Sequence, residues 1–189
     1  MKTQLDALVS ITSLCDSEKI DYMLVGSFSS NFYGIPRATK DADIVIEVTN
    51  EQRNALIDKL PSEMSVDPQM SFETATSTTK TLIYVDSICF EIELFDLSED
   101  PFDQSRFSRK VLASYLGGEI YLPTAEDVII QKIRWFKNAV RAKDLEDAQS
   151  VYLVQKEYLD WDYMMHWAKQ HGTVEEMESL RARSEASDQ

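Results

Sequence analysis

Residues 41–48, DADIVIEV, alternate in a way that leaves little choice of local structure. Ile44, Ile46 and Val48 fall on one side, and Asp41, Asp43, Val45 and Glu47 on the other, the period of a β-strand. Its second half is rich in β-branched residues, which suit a pleated surface. Asp41 and Asp43 leave the same face about 7 Å apart along the backbone. Two carboxylates held this way repel each other unless a cation joins them. Magnesium takes such oxygen ligands, alongside water and substrate phosphates. In a two-metal displacement the ions sit about 4 Å apart and hold the attacking and leaving oxygens.

A third carboxylate would complete such a set, and residues 90–97, FEIELFDL, offer one. Glu91 and Glu93 alternate with Ile92 and Leu94, so both face one side of a strand. Either can reach the same cation if that strand lies beside the first. Either pair of acids alone would read as a solvated outer face; two strands with paired acids point further. Gly26–Ser27 ends the apolar run 22–25 and stands at a strand-to-helix corner. There backbone N–H groups point outward, glycine admits a phosphate closely, and Ser27 adds a hydroxyl.

The rest of the chain supplies a scaffold. Leu5, Leu8, Val9, Ile11 and Leu14 recur at helical spacing and predict a helix over 3–18. Residues 27–33 allow about two helical turns before Gly34 and Pro36 break them. Thr49 or Asn50 caps a helix that runs to Leu60, where Pro61 stops it. Residues 62–76 carry no clear pattern. Runs 78–85 and 88–95 predict two strands joined by a tight turn at Asp86–Ser87, and 110–116 with 119–122 a hairpin across Gly117–Gly118. Thr124 followed by Asp127 resembles a capping box and opens a helix to about Asn138. Helical patterns then cover 144–154, 162–170 and 174–183, and the last few residues are expected to fray. Strands dominate the first two thirds and helices the last, with a boundary near Pro123.

With 33 acidic and 19 basic residues the net charge is −14. Such a chain repels nucleic acid at long range, which excludes generic DNA or RNA binding but leaves room for a local cationic cleft. The acidity suits divalent cations or a cationic small substrate, or serves solubility alone. Cys15 and Cys89 lack metal spacing and read as small buried hydrophobes without a bridge. No leader pattern or membrane-length apolar run is present, so the expected location is cytoplasmic. His166 and His171 are five apart and do not share a helical face, which argues against zinc. Trp135, Trp161 and Trp167, with Tyr158 and Tyr163, read as the core of a helical bundle. Ser27 and Ser29 have no histidine beside them, so a hydrolase triad has no support. Lys132, on a mainly apolar helix, reads by itself as a cation that snorkels to solvent.

Gly26-Ser27, a short helix, then Arg37, Thr39 and Asp41-Ala42-Asp43 resemble the motif of the polymerase-beta-like nucleotidyltransferase superfamily. There a Gly-Gly/Ser loop precedes Asp-x-Asp or Asp-x-Glu on the next strand, with a third acid on a later one. GIPRATKDADIVIEV is particularly similar to small bacterial members related to abortive-infection and toxin–antitoxin nucleotidyltransferases. FEIELFDLSEDPFD, PTAEDVIIQKIRWF and KDLEDAQSVYLVQ resemble their third strand and helical part, so the likeness spans roughly residues 20–170. Two departures stand out. Only one glycine precedes Ser27, and Glu93, one methylene longer, stands where the family usually has Asp.

The resemblance implies an α+β fold: a nucleotidyltransferase-type mixed sheet flanked by helices over 1–123, then a helical region, 124–189, packed on it. It implies transfer of an NMP from an NTP to an acceptor hydroxyl, in line at the α-phosphate, with release of pyrophosphate. Mg2+ or Mn2+ would be held by Asp41, Asp43 and Glu93, the last as ligand or general base. Gly26, Ser27, Arg37, Thr39 and Lys132 would contact the nucleotide, with Lys143 and Asp147 behind them. The acceptor stays open between tRNA, a protein and a small, for instance cationic, molecule. A non-catalytic nucleotide-binding module or toxin–antitoxin partner on the same fold is the alternative.

Overall fold

The computed structural model describes residues 1–67, 71–73 and 78–186. Residues 68–70 and 74–76 of the unpatterned stretch 62–76, and 187–189 of the closing residues expected to fray, therefore lie outside the described residues. The chain divides into two compact units: Met1–Gly26 with Ala38–Leu122, and Ser27–Arg37 with Pro123–Gln189. Residues 27–37 thus group with the C-terminal helices, whereas the pattern of elements groups everything before 124 together.

The first unit is built on a mixed sheet. Strands β1 (Asp21–Val25), β2 (Asp41–Glu47), β3 (Ser65–Val66), β4 (Ser71–Glu73), β5 (Thr78–Val85) and β6 (Phe90–Asp96) form it, in the order β1-β2-β6-β5-β3, with β4 also paired to β5. β2 runs parallel to β6, while β1–β2 and β5–β6 are antiparallel. The alternation in β2 is realised: Ala42, Ile44 and Ile46 are buried on one face with Tyr22, Leu24, Ile92 and Leu94 in register beside them. The opposite face carries Asp41, Asp43 and Val45, and there Met23, Val25, Val45 and Phe107 form a small apolar cluster with Phe95 and Leu97.

Helices α1 (Gln4–Ser17) and α3 (Asn50–Asp58) both begin with a capping box, Thr3 with Asp6 and Thr49 with Gln52. Helix α4 (Pro101–Ser108) has no apolar periodicity to announce it. Its N-cap Asp100 accepts from the N–H groups of Phe102 and Asp103, and Pro101 opens its first turn. A separate hairpin, β7 (Val111–Tyr115) and β8 (Gly118–Leu122), closes the unit.

Two turns differ from the predicted form. Between β5 and β6 the chain makes a short 3-10 turn, Asp86–Ile88, and Cys89 then adopts a left-handed backbone at φ 48°. β6 therefore starts at Phe90, and Cys89 is exposed rather than buried, because it belongs to the turn and not to the strand. In the β7–β8 hairpin the two turn residues are Leu116 and Gly117, at φ 55° and 81°. This is the pair of positive φ values that a two-residue turn of the I′ kind needs, one position before the Gly-Gly step.

The second unit contains most of α2 (Gly26–Tyr33), α5 (Ala125–Ala139), α6 (Ala142–Gln155), α7 (Trp161–His171) and α8 (Val174–Ala186). Its core is aliphatic: Ile129, Ile130, Ile133, Ala148, Val151, Met164, Ala168, Met177 and Leu180 are fully buried. The aromatic core expected there is not formed. Tyr158 is 84% exposed, and the tryptophans pack at the edge, Trp161 against Tyr152 and Trp167 against His171. Small aliphatic side chains fill the tight interhelix spaces, and the tryptophan rings stay half-buried beside them. At the start of α5, Thr124 accepts from the Asp127 N–H, and the Asp127 carboxylate accepts a hydrogen bond from the Tyr163 hydroxyl at 2.7 Å. The loop 34–37 is tied in by α6, where the Ser150 hydroxyl accepts from the Ile35 N–H at 2.6 Å and Gln155 donates to the Tyr33 carbonyl at 2.9 Å. Among the described residues no helix is long and apolar enough to cross a membrane.

Candidate active site

In the first unit the acids are brought onto one sheet face. The parallel register pairs Asp41 with Glu91 and Asp43 with Glu93. Partners in register share a face, so four carboxylates stand on two adjacent strands. Asp41, Asp43 and Glu93 are half-buried, whereas Glu91 is exposed. Thr39 donates from its hydroxyl to Asp41 Oδ1 at 2.7 Å, and the Thr39 carbonyl in turn accepts from Gln4 Nε2 at 3.1 Å. Thr39, expected at the nucleotide, orients the first acid.

Gly26 lies against the second. It follows Val25, which is paired with Asp43, and its φ is 63°. A Cβ added at Gly26 would stand 1.9 Å from Asp43 Oδ2. Only glycine leaves room for that carboxylate beside the turn and accepts the left-handed backbone without strain. The close approach expected for a phosphate is, within the protein itself, first an approach to Asp43.

Glu93 is also engaged. Lys80 Nζ on β5 lies 3.1 Å from Glu93 Oε1, with side-chain exposures of 17% and 20%. Among the described residues no group of three or more His, Cys, Asp or Glu side chains is arranged as a metal cage.

The second unit gathers most of the predicted nucleotide contacts into a charge network. Arg37 donates from Nε to Asp147 Oδ1 at 2.7 Å and from Nη2 to Oδ2 at 2.8 Å, the two-pronged grip of a guanidinium on a carboxylate. Its Nη2 also donates to the Ser27 hydroxyl at 3.0 Å. Lys132 reaches Asp147 Oδ2 at 2.9 Å and Asp144 Oδ1 at 3.1 Å, and Arg141 adds a bond to Asp144 at 2.8 Å. Lys132 is only 4% exposed, so it does not snorkel to solvent; two aspartates hold its charge inside. Lys143 is exposed on α6, one residue before Asp144.

Burial by itself would raise the Asp147 carboxyl, but the hydrogen bonds and charges of Arg37 and Lys132 outweigh it and hold the group below its ordinary range. Asp144 is not singled out by motif. Its signal is a buried helical stripe, Asp144, Asp147, Ala148 and Val151, in which two acids share the apolar face and require internal cations. Lys80 likewise escapes notice, because a lone lysine in a strand reads as surface.

No family model matches this chain, and no curated protein matches it in sequence. Solved structures do match in fold. The antibiotic-resistance factor ANT(2'')-Ia aligns over 100% of this chain and 97% of its own, with TM-score 0.57 at 13% identity. An antigenic nucleotidyltransferase-like protein from Paracoccidioides brasiliensis aligns over 95% and 93%, with TM-score 0.55 at 18% identity. The lincosamide antibiotic adenylyltransferase LnuA, solved with lincomycin bound, aligns over 79% and 98%, with TM-score 0.51 at 12% identity. The chain has the α+β nucleotidyltransferase fold.

Proposed function

We propose that this chain is a divalent-metal-dependent nucleotidyltransferase, moving an NMP from an NTP to an acceptor hydroxyl and releasing pyrophosphate. The observation that carries the reading is the opposition of Asp43 and Glu93 across β2 and β6, with Gly26 against the Asp43 carboxylate. The donors are all carboxylate oxygens on one face, which is the chemistry that magnesium or manganese takes, and the register keeps the third acid beside the pair. Asp41 and Asp43 would hold the metal, with Glu93 as further ligand or as base. When bound, the ions neutralise the triphosphate and stabilise the attacking and leaving oxygens.

The chain's own residues do the rest. Thr39 fixes Asp41, Gly26 keeps the approach to Asp43 open, and Glu93, where it serves as base, accepts the proton of the acceptor hydroxyl. Arg37 serves the phosphates together with Ser27. Lys132 and Asp147 hold Arg37 in one orientation, which cuts the entropy lost on binding. Lys143 offers an exposed charge to the same end. The favoured acceptor is a small cationic molecule: the net charge of −14 disfavours RNA, and ANT(2'')-Ia has been solved with adenylyl-2''-tobramycin. tRNA and proteins are the competing acceptors.

The Lys80–Glu93 ion pair favours one second reading, a nucleotide-binding module or toxin–antitoxin partner without turnover. Incubation with each labelled NTP, magnesium, and panels of aminoglycosides, RNA and proteins separates the two. Labelled product supports the enzyme. Tight NTP binding by calorimetry without pyrophosphate release supports the module.

A further inference from the structure

We propose that Lys80 is a positioning residue for Glu93 that competes with divalent cations for its carboxylate, so that metal binds well only together with the nucleotide. The inference rests on the metal reading above. Its ground is the placement of Lys80 on the acid face: the β5–β6 register pairs Lys80 with Phe95 and Leu82 with Glu93. Lys80 and Glu93 are thus diagonal neighbours on one face, within reach for a long side chain. The ammonium lies 3.1 Å from Glu93 Oε1 and 5.7 Å from the centre of the Phe95 ring. That distance adds a cation–π attraction that favours the same placement of the ammonium.

Two consequences follow from a half-buried pair in this position. Glutamate has one more rotatable bond than the aspartate usual at such a site, and Lys80 restrains it. The same contact spends on a lysine the charge a cation would meet, so a cation that recruits Glu93 must break or share the pair. Divalent affinity of the protein alone is then lower than the acids would otherwise give. An NTP brings about four negative charges of its own and makes up the difference.

The test is Mn2+ binding without nucleotide, by calorimetry, on wild type, Lys80→Met, Lys80→Gln, Lys80→Arg, Glu93→Gln and the double variant Lys80→Met/Glu93→Gln, each checked for folding by circular dichroism. Lys80→Met and Lys80→Gln are expected to bind Mn2+ at least about tenfold more tightly than wild type, since a positive charge this close to a divalent cation weakens its binding by that order even when water fully screens the pair. Lys80→Arg keeps the wild-type affinity, and the gain vanishes in the Glu93→Gln background. Folded Lys80→Met or Lys80→Gln with wild-type affinity, or a gain that persists without Glu93, overturns the inference alone. Folded proteins none of which binds Mn2+ at millimolar concentration without NTP overturn this inference, and if added NTP does not restore binding the metal reading falls with it.

Discussion

Asp43 and Glu93 face each other across the parallel pair β2–β6, in direct register and on the same side of the sheet. Their opposition joins segments of chain about fifty residues apart, and it arises because β6 lies between β2 and β5. A hairpin partner could not produce it, since β2 and β6 run in the same direction. The lone glycine of the loop then borders Asp43, and Thr39 borders Asp41.

Gly26 gives the sharpest steric prediction. Gly26→Ala places a methyl 1.9 Å from Asp43 Oδ2 at a φ of 63°, so both backbone and carboxylate must shift. The variant is expected to lose at least about 1 kcal/mol of stability in urea unfolding, from the left-handed backbone alone. On the proposed function it is also expected to lose nucleotidyl transfer. Wild-type stability in Gly26→Ala would show that the turn relaxes without cost.

Thr39→Val removes the hydroxyl that donates to Asp41 while keeping the volume. Hydrogen bonds to charged groups are worth about 1.5–3 kcal/mol. The expected result is a fall of about tenfold or more in turnover, together with a loss of stability of up to that size in urea unfolding. A changed KM for NTP at constant kcat would instead assign Thr39 to nucleotide binding alone.

Asp147 ties Arg37 to Lys132, and its loss leaves two cations without their shared partner. Asp147→Ala is expected to cost about 3 kcal/mol of stability, the usual size for breaking a buried pair. The pH dependence has a definite sign. The folded carboxyl titrates below the ordinary value of 3.8, so its contribution is complete above that value and is lost as pH falls through the lowered one. Urea midpoints measured from neutral pH down to about pH 3 should fall on the acid side. Asp147→Asn removes part of that slope, and an unchanged slope would contradict the assignment.

The two thiols differ in access. Cys89 is exposed in its turn, while Cys15 is fully buried in α1 and burial pushes its thiol up to about 12. A thiol reagent should titrate one cysteine in the folded protein and both after denaturation. Rapid reaction of both in the folded state would mean that α1 opens readily.

The acid strand, its glycine corner and most helices were legible because their signals are local. Alternation in 41–48 puts Asp41 and Asp43 on one face whatever surrounds them, and Thr3, Thr49 and Thr124 cap helices within their own first turn. Asp100–Pro101, a helix-opening pair, was readable by the same logic although no apolar stripe follows it. What could not be read depends on distant chain. The Lys80–Glu93 pair exists only once β5 lies beside β6, and Arg37 meets Asp147 across 110 positions. Cys89 shows a third kind of failure: apolar neighbours suggest burial, but a single left-handed residue turns the side chain out.

If the acid face performs nucleotidyl transfer as proposed, the reaction depends on the Asp43 carboxylate. Pyrophosphate release should be followed for wild type and Asp43→Asn, with each NTP, magnesium and the acceptor panel. Wild type is expected to release pyrophosphate with at least one pair, and Asp43→Asn to fall at least about a hundredfold, the scale on which electrostatic site residues act. Release undiminished in a folded Asp43→Asn, or no release by wild type with any NTP and acceptor, would contradict the account.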